Sequence, residues 1–185
     1  MPLEYPGAHY ILELKTPSEV YKYQDQLCTI LQECVNKGSS IGFLAPLSSK
    51  DALDYWLGAS ELITKGNLHL FILTSATSST EHTPVLGTVQ LSLIPKATHL
   101  HRAEVIKLMV LPSARRLGIA RDLMLHVEAF AKGIERSMLT LDTATESAAM
   151  EMYRRLEWEE WGTCKVYASW PDGRRCDATF FRKDI

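Results

Sequence analysis

The run Arg115-Arg116-Leu117-Gly118-Ile119-Ala120-Arg121 gathers three arginines around one glycine, a grouping suited to holding a polyanion. Ile119, Leu123, Val127 and Phe130 recur about four residues apart, and this spacing predicts a helix that opens inside the run. A helix start carries partial positive charge and unpaired N–H groups, so it favours carboxylates over arginines. Here the first carboxylate is Asp122. A bound group such as a pyrophosphate reverses that conflict, because the free N–H groups become its donors. Gly118 has no Cβ and lets the backbone come close. The whole run, Arg115, Arg116, Leu117, Gly118, Ile119, Ala120 and Arg121, is expected to hold a phosphate-bearing cofactor.

Two other residues are of types that move protons. Glu104 falls early in an apolar strand, Ala103–Val110, and alternation sets it on the face of Ile106, Leu108 and Val110. Apolar neighbours raise a carboxyl pKa, which suits a base working near neutral pH. A strand-end carboxylate reaching water is the competing reading. Tyr153 lies one turn after Ala149 on a helical pattern, with Met152 and Leu156 toward the core. It is either a proton donor or a packed ring whose hydroxyl meets water. His99 and His101 alternate onto one strand face, but no third ligand follows at a suitable spacing. No metal site is therefore expected, and His101 reads as a polar group on the substrate side.

These residues need a frame. His9–Leu14 reads as a strand, and Thr16-Pro-Ser-Glu19 as a capping box with proline at the first helical position. Val20, Tyr23, Leu27, Leu31 and Cys34 trace one helical face that ends near Gly38. Ser49 is a candidate cap for a second helix bearing Leu53, Trp56, Leu57 and Leu62. Strands follow over Asn67–Ser75, Val85–Ile94 and Ala103–Val110, with a Ser/Thr-rich loop at Ala76–Pro84. After the anion-binding helix come a strand near Met138–Asp142 and a helix near Ser147–Leu156. Two last strands flank the turn Pro171-Asp-Gly173. The order β-α-α-β-β-β-α-β-α-β-β predicts an α/β fold, a mixed sheet flanked by helices on both faces.

The bulk properties agree with one enzyme-sized domain spanning 1–185. The chain has 185 residues, 46% hydrophobic and 23% charged, enough for a sizeable core. A net charge of −2 implies no general affinity for nucleic acid or acidic membranes. Locally the balance reverses. Arg102, Lys107, Arg115, Arg116 and Arg121 face only Glu104 and Asp122 between residues 101 and 125. A mixed solvated surface is the alternative for Arg102 and Lys107. Four cysteines without Cys-x-x-Cys spacing suit a reducing compartment. With no leader-like start and no apolar run of about 20 residues, a cytoplasmic protein is expected.

Arg115-x-x-Gly118-x-Ala120, just after the apolar strand Val105–Val110, resembles the [Arg/Gln]-x-x-Gly-x-[Gly/Ala] signature of GNAT-type N-acetyltransferases. Thr140-Leu-Asp-Thr143 and Ala149-x-x-x-Tyr153-x-x-Leu156 are similar to the family's next strand and helix. His101 to Met109 and Pro171-Asp-Gly-Arg174 look closest to its tabtoxin-resistance members. The resemblance is strong over about 85–185 and weaker before that. The chain departs from the family at Glu146, where asparagine is frequent, and at Glu157-Trp158, where Gly-Phe is common.

The resemblance implies acetyl-CoA as co-substrate. Its pyrophosphate would lie on the arginine-glycine run and its arm against Leu108, Met109, Val110 and Ser147. A strand bulge would free a backbone N–H of Met109 or Val110 for the oxyanion. It also implies Tyr153 as the acid for the departing thiolate and Glu104 as the base. Glu104 stands fourteen residues before Gly118, the offset of the base in histone-acetylating members; a base acting through water is the family's other solution. Gly38–Leu47 would line the acceptor pocket, with Phe43 either setting specificity or plugging a helix–helix loop. The implied activity is direct N-acetyl transfer to a small primary amine, amino-acid-like or an antimetabolite, by a monomer or homodimer. A protein or peptide amine is the alternative acceptor. A CoA-binding sensor or interaction domain without turnover is the alternative of another class.

Overall fold

Seven strands join in one sheet, in a computed structural model that describes residues 9–39, 41–75 and 83–185. They are β1 (His9–Leu14), β2 (Leu68–Ser75), β3 (Val85–Leu93), β4 (Arg102–Val110), β5 (Met138–Ala144), β6 (Glu159–Ser169) and β7 (Arg175–Asp184). Their order is β1-β2-β3-β4-β5-β7-β6. Every neighbouring pair is antiparallel except β4 and β5. A parallel pair needs a crossover, and helix α4 (Ile119–Gly133) supplies it. Helices α1 (Pro17–Lys22), α2 (Gln24–Asn36) and α3 (Ser49–Thr64) cover one face of the sheet. On the other, α4 and α5 (Met150–Arg155) bury Ile119, Leu123, Met124, Val127 and Tyr153 against Leu139, Leu141 and Phe181. The mixed sheet with helices on both faces is as the element order predicts.

Local chemistry explains most element ends. The Thr16 hydroxyl accepts from the Glu19 N–H at 3.3 Å, and the Glu19 carboxylate accepts from the Thr16 N–H at 2.9 Å, a complete capping box. The first helical stretch is not continuous, however. It breaks at Tyr23 (φ −104°) into α1 and α2, so three helices stand where periodicity suggests two. α3 is capped by Ser48 rather than Ser49: the Ser48 hydroxyl accepts from the Asp51 N–H at 3.1 Å. Its buried stripe is Ala52, Trp56, Ala59 and Ile63, and Leu57 and Leu62 face outward. Most of the loop Ala76–Pro84, residues 76–82, lies outside the described residues. Among the described residues no helix is long and apolar enough to cross a membrane.

Gly87 seats α4 on the sheet. A Cβ there would lie 2.7 Å from Ile119 Cγ2 and 3.2 Å from the Met109 carbonyl oxygen. Gly87→Ala is therefore expected to push the start of α4 outward at a cost of about 1–3 kcal/mol, lowering Tm by about 2–4 °C per kcal/mol. A thermal melt equal to the wild type's would show that the helix rides less tightly on β3.

Candidate active site

The parallel ladder between β4 and β5 is short. Arg102, Ala103 and Glu104 pair with Met138, Leu139 and Thr140, and there the pairing stops. Both strands run on, β4 to Val110 beside β3 and β5 to Ala144 beside β7. A cleft thus opens between them toward their C-terminal ends, and β5 does not answer the β4 backbone edge beyond Glu104. The cause lies at Lys107, whose φ of +51° coincides with a register skip opposite Thr88 and Gln90. Such a bulge bends a strand and increases its twist.

The bulge also corrects the alternation expected for Glu104. Ala103 and Val105 pack under α4, so Glu104 and Ile106 face the α2–α3 side. Past Lys107 the pattern inverts: Leu108 and Val110 pack under α4 and Met109 toward α2–α3. Glu104 shares its face with Ile106 and Met109, not with Leu108 and Val110.

One end of the cleft is an open helix start. Gly118 occupies the N-cap of α4 at φ +83°, with no side-chain cap and nothing within 4 Å of where its Cβ would be. Arg116 precedes it at φ +66°. Among the described residues the Asp122 N–H is the first in the helix with a partner, the Gly118 carbonyl at 3.0 Å, and the N–H groups of Ile119, Ala120 and Arg121 have none. Arg116 and Arg121 are exposed beside them.

Other members of the run sit differently. Arg115, also exposed, donates from Nη2 to the Ser39 hydroxyl at 2.7 Å and from Nε to the Val110 carbonyl at 3.4 Å. It ties the loop before α4 to the loop after α2. The Ile119 side chain is core, and Leu108, Val110 and Leu117 pack beside it, so what these four present to the cleft is backbone. Ser147 is held by Thr143, with their hydroxyl oxygens 2.9 Å apart.

The other end of the cleft is charged and half-buried. Burial raises the Glu104 pKa, and the Asp142 carboxylate raises it further. Asp142 is raised by burial against the opposing pull of Lys107. Burial lowers the Lys107 pKa, with Asp142 opposing. Asp142 on β5 thus couples to both Glu104 and Lys107 on β4. Tyr153, 6% exposed, packs its ring 5.4 Å from Phe181 and 6.2 Å from Trp158. Burial, then Asp142, hold its phenol well above the ordinary value, so it keeps its proton at any working pH. The turn after α5 needs a left-handed residue, and Glu157 takes it at φ +61°, where the resemblance makes glycine common. Trp158 behind it is anchored through Nε1 to the Glu128 carboxylate at 2.8 Å.

The loop after α2 covers the α2–α3 side of this end. Leu47 N–H donates to Asn36 Oδ1 at 2.8 Å, and Ala45 N–H donates to the Pro171 carbonyl, also at 2.8 Å. The Pro171-Asp-Gly173 turn thus holds the loop in place. Phe43 stands edge-on to Tyr55 at 5.4 Å. His101 is remote from all this: it precedes β4 at the closed end of the ladder, where its carbonyl accepts from the Ser137 N–H at 2.8 Å. His99 lies in a 3₁₀ turn, so the two histidines share no strand face.

Sequence reasoning missed Asp142, Tyr55 and Gln90 and counted Lys107 toward the phosphate site. The available signal was a charged residue inside an otherwise apolar strand, which is costly unless used. Two surface concavities lie off the cleft, one between α1 and α3 around Tyr21 and Leu57, the other around Gln26 and Pro84.

An open helix start with flanking arginines, joined by a free strand edge to a buried acid–base group, fits a pyrophosphate-bearing acyl carrier with an amide-containing arm. The model of the acetyltransferase (GNAT) family matches residues 24–158, and the chain belongs to that family. It is a GNAT-type N-acetyltransferase, with acetyl-CoA as its co-substrate.

Solved structures share the fold at low identity. A ribosomal-protein-alanine N-acetyltransferase from Brucella melitensis is 20% identical at a TM-score of 0.73, over 95% of this chain and 99% of that one. A putative phosphinothricin N-acetyltransferase is 13% identical at 0.75, over 96% and 98%. A putative acetyltransferase from Salmonella typhimurium, solved with its cofactor acetyl-CoA, is 14% identical at 0.71, over 96% and 94%.

Proposed function

We propose that the chain transfers an acetyl group directly from acetyl-CoA to the primary amine of a small molecule while both are bound. The observation that carries this reading is the β4–β5 cleft, with a phosphate-ready helix start at one end and Glu104, Asp142 and Tyr153 at the other. Bound acetyl-CoA supplies the thioester whose carbonyl carbon the amine attacks. The N–H groups of Ile119, Ala120 and Arg121 hold its pyrophosphate with the Arg116 and Arg121 guanidiniums, and Gly118 allows the close approach. The β4 edge from Leu108 to Val110 holds its arm, and a main-chain N–H of Met109 or Val110 faces the carbonyl oxygen where negative charge develops.

Glu104 takes the proton the amine must lose, directly or through a water, and Asp142 raises its affinity for that proton. Tyr153 offers its phenol to the departing sulfur. Cys34 is unsuited to a covalent relay. Burial raises its pKa, and its thiol donates to the Val110 carbonyl at 3.5 Å. Phe43 borders the acceptor. A small acceptor of amino-acid or antimetabolite type is supported by the likeness of His101–Met109 and Pro171–Arg174 to the tabtoxin resistance protein. The Pro171 turn also holds the loop that borders the acceptor.

Thiol release from acetyl-CoA across a panel of amines tests the reading. Turnover on small amines is expected; acetylation of protein N-termini alone would move the acceptor to a peptide. Glu104→Gln adds a pH test. A base works only when ionised, so kcat/KM falls as pH drops through its pKa, which here lies above the ordinary carboxyl value. The glutamine variant should lose about 10²-fold above that pKa, little below it, and with it the acidic limb of the profile. A profile that keeps its limb would place the base elsewhere.

A further inference from the structure

Around the β4 bulge the α2–α3 face carries hydrogen-bond donors that the fold leaves unanswered. Lys107, at the bulge itself, lays its ammonium over two rings, 4.9 Å from the centre of Phe43 and 5.8 Å from that of Tyr55. Among the described residues no hydrogen bond or ion pair engages it. Gly42, at φ +101°, makes the room: a Cβ there would stand 3.1 Å from Lys107 Nζ.

On β3, Gln90 and Thr88 flank the same bulge, opposite Ile106 and Met109. Gln90 is 1% exposed. Its carboxamide oxygen accepts from the Tyr55 hydroxyl at 2.8 Å, and among the described residues its amide nitrogen has no partner. The Thr88 hydroxyl, equally buried, has none either. A buried donor left unanswered is costly, and two of them beside a half-buried ammonium at one bulge ask for an acceptor from outside the fold.

We propose that Lys107, with Gln90 beside it, receives a carboxylate of the acceptor, so that the amine acetylated here belongs to an amino-acid-like zwitterion. This rests on the reading of the cleft as the acetyl-acceptor site. The opposing charges sit where such a molecule needs them, with Glu104 and Asp142 for the ammonium end and Lys107 for the carboxylate. Burial raises the proton affinity of both carboxyls, and the Asp142 charge raises that of Glu104 further; with one of them protonated the cleft is neutral and matches a zwitterion. A simple cationic amine brings no counter-charge for Lys107, and a protein N-terminus has its adjacent carboxyl in a peptide bond. The aromatic rings under the ammonium hold it in place and exclude water, which strengthens its pull on an anion.

The test is acetyl-CoA thiol release on amino acids, each paired with its own carboxamide and decarboxylated amine. The wild type is expected to favour the acids by about 10–100-fold in kcat/KM, the worth of one charge-assisted contact. Lys107→Met should erase most of that preference through KM, and Lys107→Arg, which restores a cation at the same backbone position, should keep part of it. A wild type that treats acid and carboxamide alike, or takes only the partners without a carboxylate, overturns the carboxylate corner and leaves acetyl transfer standing. So does Lys107→Met slowing all members of a set equally. A wild type that binds acetyl-CoA but acetylates no member of any set overturns it as well. Failure to bind acetyl-CoA at all would remove the acetyl-transfer reading first, and is told apart by a melting scan with the co-substrate alone.

Discussion

Gly118→Glu is expected to abolish acetyl-CoA binding while the chain stays folded. Gly118 is the N-cap of α4 and sits at φ +83° on an exposed turn, with no neighbour within 4 Å of a would-be Cβ. A side chain therefore clashes with nothing in the protein itself. It meets instead the space through which a pyrophosphate approaches the open N–H groups, and it brings a negative charge. One like charge about 4 Å away costs about 4 kcal/mol near a protein surface, roughly a thousandfold in affinity. At a hundred times its dissociation constant, acetyl-CoA should stabilise the wild type by about 2.7 kcal/mol, and this gain should vanish in the variant.

Left-handed backbone penalises any L side chain by about 1–2 kcal/mol, so Gly118→Ala is the reference for strain without charge. It should share the lowered baseline melting temperature and keep part of the ligand shift. Arg116→Ala should weaken binding less, by about tenfold or under, because one exposed cation contributes only a share of the site. An undiminished acetyl-CoA shift in Gly118→Glu would mean that the phosphates bind elsewhere.

The contrast between Gly118 and Arg115 shows how far residue types alone carry the reading. The helix start was legible because a glycine, a run of arginines and a four-residue apolar period coincide, and each is a local property. The Thr16–Glu19 capping box was legible for the same reason. What was not legible depends on partners distant in the chain. Arg115 reads only as a third arginine for the phosphates, and its contact with Ser39 at 2.7 Å becomes visible only once the loop after α2 is placed beside it. Glu104 looks like a neighbour of Leu108 until the bulge at Lys107 inserts one residue and turns the rest of β4 over. A strand's two-residue period fails silently at such a point, because Lys107 is not a residue type that announces a positive φ. His101 failed by the same logic in reverse, since alternation was extended backwards past the true start of β4 at Arg102. The acidic partner Asp142 required the β4–β5 pairing itself, which no window of a single segment contains.

Tyr153→Phe is expected to lower kcat by about 10²–10⁴ with little change in acetyl-CoA affinity, the usual cost of losing a general acid. The substitution removes one oxygen and keeps the ring that packs against Phe181 and Trp158, so α5 should hold its place. In the proposed site the phosphates lie at the start of α4, away from this hydroxyl, and their contacts are untouched. A defect confined to kcat marks an interaction made as the C–S bond breaks rather than in the ground state. The environment of the hydroxyl favours that role. Burial and the charge of Asp142 both oppose ionisation, so the phenol arrives protonated at every pH at which the amine is reactive. In so dry a site its hydrogen bond to a departing thiolate is worth more than the same bond offered by water. A variant that turns over within a few-fold of the wild type would reduce Tyr153 to a packed ring and leave the thiolate to solvent, with the phosphate site and Glu104 unaffected. A variant that loses acetyl-CoA affinity instead would show that the ring shapes the cleft and that the hydroxyl moves no proton.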